Sequence, residues 1–97
     1  MLEKVKLALR LRSDTFDSQI EDLIAACAAD LELAGVTHVD MLNPLVIRAA
    51  ALYVKADFLE DEGKVRTVQR QYNQARMALV LFDAARRGAW HVPHRDD

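Results

Sequence analysis

The sequence predicts an all-α fold: a small four-helix domain with a central apolar helix, a long last helix and an extended C-terminal tail. Three observations carry that reading. Only three glycines and two prolines occur in 97 residues, so the elements are long and uninterrupted. Apolar residues recur at spacings of three and four rather than in alternation. A composition of 52% apolar and 29% charged residues describes one ordinary globular domain, too small for two cores. The division expected is a helical domain over residues 1–87 and a tail over residues 88–97.

Leu2, Val5 and Leu9 mark a short first helix that ends near Arg12 and is marginal unless docked on the rest. Ser13, Asp14 and Thr15 then offer capping oxygens, and Ser18 with Glu21 matches a capping box. The second helix therefore starts between Thr15 and Gln19. Its apolar stripe is Phe16, Ile20, Leu23, Ile24, Cys27 and Leu31, with Asp17, Glu21, Asp22 and Asp30 facing mostly away. Gly35 supplies a residue that tolerates a left-handed stop.

Asn43-Pro44 reads as an N-cap followed by Pro at the first helical position, where its missing N–H costs nothing. Leu45 to Leu59 is apolar but for Arg48, Lys55 and Asp57, the pattern of a helix enclosed on most sides. This is the central helix, expected over 44–62. Glu60-Asp61-Glu62-Gly63 marks a turn. Beyond it Val65, Val68, Tyr72, Ala75, Leu79 and Phe82 form an a/d seam. A fourth helix from Lys64 to Ala85 would span roughly 33 Å, and Met77, Val80 and Leu81 widen its stripe enough to predict a second contact there. After Arg86-Arg87-Gly88 the helical pattern stops, and Pro93 biases Val92 toward an extended backbone.

Several function classes fall away. No apolar run approaches the ~20 residues of a membrane span. Met1 to Lys6 interleaves charges with apolar residues, unlike a secretory signal. The single cysteine, Cys27, cannot form an internal disulfide and fits a reducing compartment. On an apolar stripe with no His within a turn, it reads as a small buried hydrophobe rather than a nucleophile. His91 and His94 with Asp96 and Asp97 lack the preorganisation a metal needs. Glu60, Asp61 and Glu62 stand beside Lys64 and Arg66, which suits exposed i, i+4 pairs better than acid–base catalysis. No Gly-rich phosphate loop occurs. Neither catalysis, a cofactor nor a metal is expected.

The net charge is −2, yet the charges come in blocks. Residues 1–12 hold Lys4, Lys6, Arg10 and Arg12 against Glu3. Ser13 to Ile47 contains seven acids and no Lys or Arg, while residues 63–82 carry Lys64, Arg66, Arg70 and Arg76 and no acid. An acidic and a basic helix on one domain are complementary surfaces for head-to-tail association between copies, or else meet within one chain. The fourth helix, with Lys64, Arg66, Gln69, Arg70, Gln71, Asn73, Gln74 and Arg76, also fits phosphate contacts, so a small DNA-binding regulator is the alternative. Trp90, the only tryptophan, is of a type enriched at interface anchors. It fits a partner contact or packing back on its own domain equally well.

Asp14-Thr15-Phe16-Asp17, the run Ile20-Glu21-Asp22-Leu23-Ile24-Ala25-Ala26-Cys27, and the helix start Pro44-Leu45-Val46-Ile47-Arg48-Ala49-Ala50 together resemble the head–tail connector (head-completion or adaptor) proteins of tailed bacteriophages. The resemblance covers residues 2–85. It implies a structural, non-catalytic subunit made in the bacterial cytoplasm and resident in the virion. Such a subunit joins a dodecameric ring beneath the portal protein, extends the DNA channel and carries stopper or tail-completion proteins, with only passing DNA contact. It further implies an interface in which Arg66, Arg70 and Arg76 meet Asp17, Glu21 and Asp22 of a neighbour. Trp90, Val92 and Pro93 would dock on the portal or an adjacent subunit, and Glu60, Asp61 and Glu62 would face the channel.

Overall fold

Four helices follow in chain order: α1 (Leu2–Ala8), α2 (Asp17–Ala34), α3 (Pro44–Phe58) and α4 (Glu62–Arg86). They are seen in a computed structural model that describes residues 1–86. The expected tail, with Trp90, Val92, Pro93 and the two late histidines, and the boundary after residue 87 lie outside the described residues. No strand occurs among those described.

α3 is the hub. Asn43 caps it as anticipated, its Oδ1 accepting the Leu45 N–H at 2.9 Å, with Pro44 opening the first turn. The helix touches α1, α2 and α4, which requires small side chains at the crossings, and Ala49, Ala50 and Ala51 are all buried there. Around them one core gathers Val5 from α1, Ile20, Ile24, Cys27 and Leu31 from α2, Val46 and Val54 from α3, and Val68, Tyr72 and Leu79 from α4.

Three boundaries and one cap differ from the sequence reading. α1 stops at Ala8 rather than near Arg12, because Arg10 adopts a left-handed backbone (φ 59°). The Arg10 N–H then bonds the Leu7 carbonyl at 3.0 Å and the Leu11 N–H the Lys6 carbonyl at 2.9 Å, the closure usually built on glycine. α2 starts at Asp17, within the expected range, but no capping box forms: its cap is Phe16, without a side-chain bond. Ser13 instead accepts the Thr15 N–H at 3.1 Å in the preceding turn. α3 ends at Phe58, short of residue 62, as Leu59 turns extended (φ −84°, ψ 145°). The break lets Asp61 cap α4, its Oδ1 accepting the Lys64 N–H at 3.0 Å, so the acidic turn becomes a helix start at Glu62.

Three side chains depart from their expected faces. Phe16 is 49% exposed and rests edge-on against Phe58, ring centroids 5.5 Å apart. Asp30 turns inward to α4 instead of facing away. Phe82, the last seam position, is 41% exposed: α4, at 25 residues, is about 37 Å long, against about 22 Å for the 15 residues of α3, so its last turns outrun their partner. Met77 and Leu81 are exposed on the same stretch, where an additional contact was anticipated.

Gly35 ends α2 as predicted, at φ 117°. The Val36 N–H bonds back to the Leu31 carbonyl at 3.0 Å, and Val36 itself is buried. A Cβ at Gly35 would meet Val80 Cγ1 only at 3.9 Å, so the obstacle to a side chain is backbone conformation, not space. Gly35→Ala should therefore destabilise the fold by about 1–2 kcal/mol. Urea unfolding of the two proteins measures the difference, and an unchanged midpoint would refute the assignment.

Candidate assembly surfaces

The charges divide into those engaged within the subunit and those left at its surface. Tyr72, buried on α4, donates its hydroxyl to Asp30 Oδ2 on α2 at 2.6 Å. Arg76 Nη1 reaches the same oxygen at 3.1 Å, and its guanidinium lies 5.8 Å from the Tyr72 ring centroid. Tyr53 of α3 packs edge-on against Tyr72 at 5.2 Å. Burial first, then the bond to Asp30, pushes the Tyr72 phenol far above its ordinary range. This cluster bolts α2, α3 and α4 together.

A second pair ties α1 to α2: Lys6 Nζ stands 2.7 Å from Asp17 Oδ1. Lys6 is only 6% exposed. The hydrogen bond to Asp17 raises its pKa above the ordinary lysine value, against the opposing pull of burial. Removing Asp17 would strand a buried cation, which is costlier than never having had the pair.

Of the six charges assigned to a subunit interface, Asp17 and Arg76 are thus held inside their own chain. Glu21, Asp22, Arg66 and Arg70 are exposed, and none of them makes an ion pair among the described residues. Glu60, Asp61 and Glu62 are also exposed, and Asp61 and Glu62 sit where the N-terminal end of α4 favours negative charge. On the polar side of α4, Gln69, Asn73 and Arg76 share a pocket with Asp30 and Asp57. Carboxylates therefore flank part of the face considered for DNA.

One surface had no counterpart in the sequence reading. Between α1 and α3 runs an open groove of about 610 Å³, floored by Ile47, Ala51 and Leu52 and rimmed by Lys4, Arg48 and Lys55. Leu7 stands on its lip, 78% exposed. Every charged residue lining it is positive. In sequence Arg48 and Lys55 look like interruptions of a buried helix; the signal available was their spacing of seven, which puts them on one helical face.

Among the described residues no group of three His, Cys, Asp or Glu is placed to hold a metal ion, and no helix is long and apolar enough to cross a membrane. A family model described as phage connector protein matches residues 1–85. No curated protein and no solved structure gives a significant match.

Cys27 is buried, its Sγ 3.8 Å from the Tyr72 hydroxyl. Burial raises its pKa from 9.0 to about 11. The folded state thus holds this proton more tightly than the unfolded chain. Its contribution is intact below about pH 9 and disappears as pH rises through about 11. The native thiol should resist alkylation at pH 8 and react at once in denaturant. Cys27→Ala should flatten the loss of stability between pH 9 and 11; an equally steep loss in that variant would exclude the thiol as its source.

Proposed function

The chain belongs to the phage connector proteins, and from that premise we propose that it is a structural, non-catalytic subunit of the head–tail junction of a tailed phage. Copies associate into a ring, dodecameric in the virion, beneath the portal protein. The ring extends the DNA channel and provides a platform for stopper or tail-completion proteins. The subunit is made in the host cytoplasm and ends in the virion.

The family match carries this reading, because it spans all but the last residue of the described fold. The distribution of charge supports it. Glu21 and Asp22 on α2 and Arg66 and Arg70 on α4 are exposed and without an ion pair among the described residues, and Leu7 and Leu33 stand 78% and 88% exposed. Separate unpaired surfaces on one small domain suit a heterologous contact, which closes into a ring when its rotation allows. Trp90, Val92 and Pro93 are the anchor proposed for the portal or an adjacent subunit, and Glu60, Asp61 and Glu62 the residues proposed to face the channel, where negative charge keeps DNA from adhering.

Light scattering behind a sizing column, across concentration and with purified portal protein, tests the proposal. A large closed oligomer, or a monomer that enters a complex with the portal, is the expected result. A dimer indifferent to the portal that binds DNA with steep salt dependence would overturn it in favour of a DNA-binding regulator.

A further inference from the structure

The groove between α1 and α3 is an apolar trough whose charged lining residues are all cations, and the chain carries its complement elsewhere. On α2, Glu21, Ala25, Ala28 and Glu32 recur at intervals of four, three and four, which places them within an arc of roughly 60° along one side of the helix. Glu21, Ala25 and Glu32 are exposed and Ala28 half-buried. Two carboxylates thus bracket a strip of methyl groups, with Asp22 beside the first. No Lys or Arg occurs between Ser13 and Ile47 to offset them locally.

We propose that a second copy of this chain seats the outer edge of its α2 in the α1–α3 groove, so that Ala25 and Ala28 lie on the floor of Ile47, Ala51 and Leu52 while Glu21 and Glu32 reach the rim cations. The spacings agree. Glu21 and Glu32 are eleven residues apart, about 16 Å along the axis, and Arg48 and Lys55 seven apart, about 10 Å; the long basic side chains span the remainder. The alanines let the helix axes approach closely, the helix-in-groove mode of recognition.

Arg66 and Arg70, the cations first considered for these acids, fit less well. They stand a single turn apart, about 6 Å, and are accompanied by Gln69, Asn73 and Gln74 rather than an apolar floor. They can serve one carboxylate of the stripe but not both, and offer the alanines nothing to cover. The two surfaces proposed here differ, so each subunit uses both at once and the contact propagates head to tail. It therefore rests on the ring reading and names the surfaces that make the ring.

The test uses full-length chains and purified portal protein. Leu7→Cys and Ala25→Cys variants, one carrying a tag that shifts its mass, are mixed and mildly oxidised; Cys27 is buried and remains in both. The expected product is the mixed disulfide, in preference to either homodimer. Adding Arg48→Glu and Lys55→Glu to the Leu7→Cys chain should cut its yield at least about tenfold. Adding Glu21→Lys and Glu32→Lys to the Ala25→Cys chain should restore it, and Arg66→Glu with Arg70→Glu should leave it unchanged. Circular dichroism of each variant confirms that the helices persist. No mixed product, a yield indifferent to the rim charges, or a loss caused by the Arg66 and Arg70 reversals instead would overturn the groove assignment. If wild-type protein still enters a large complex with the portal in that event, the connector reading stands and only the groove falls; if it does not, both fall.

Discussion

One helix has to satisfy three neighbours. α3 contacts α1, α2 and α4, and a helix can be approached on three sides only where its side chains are small or interlock without strain. The buried run Ala49, Ala50 and Ala51 meets that requirement. Larger residues there would push α2 or α4 outward and part Tyr72 from Asp30, whose 2.6 Å bond requires those two helices to sit at one separation. The Asn43 cap and Pro44 matter for the same reason: they determine where along its axis α3 begins, and hence which turn of α4 meets which turn of α2.

The exposed surface follows from unequal helix lengths around that hub. α1 has seven residues and α3 fifteen, about 10 Å of helix against about 22 Å. The groove runs along the junction of the two, and Arg48 and Lys55 edge it because a position facing water can carry charge where one facing a helix cannot. α1 is short because Arg10 turns left-handed. The same inequality operates at the other end, where α4 outruns α3 and exposes Phe82.

Much of this was legible in sequence, and the exceptions share a cause. Asn43-Pro44, Gly35 and the stripe from Ile20 to Leu31 are local signals: a capping oxygen, a residue that tolerates positive φ, a repeat at helical spacing. Each determines its own neighbourhood and each was read correctly. Arg10 was not, because arginine carries no left-handed signature, and its conformation is sustained by the backbone bonds that close α1 and by the anchoring of Lys6 on Asp17. Asp61 was hidden in an acidic run that looks like a solvated turn. Phe16, Asp30 and Phe82 depended on what lies opposite them, and periodicity along one helix carries no information about the length or polarity of its neighbour. The groove is the extreme case, since it exists only at the junction of two helices.

The block pattern of charge acquires a physical reading once the internal pairs are subtracted. Lys6 with Asp17 and Arg76 with Asp30 sit at helix crossings, where partial burial strengthens an ion pair and makes its geometry decisive. The remaining acids on α2 and the cations around the groove are exposed, and exposed pairs within a subunit contribute little to its stability. Charges that are weak as stabilisers still have strong effects between molecules, because complementary potentials accelerate encounter, set register and exclude wrong partners. A subunit that folded by pairing all its opposite charges internally would have no such surface left. Keeping the exposed acids of α2 and the exposed bases of α3 and α4 out of internal ion pairs leaves the isolated fold dependent on its apolar hub.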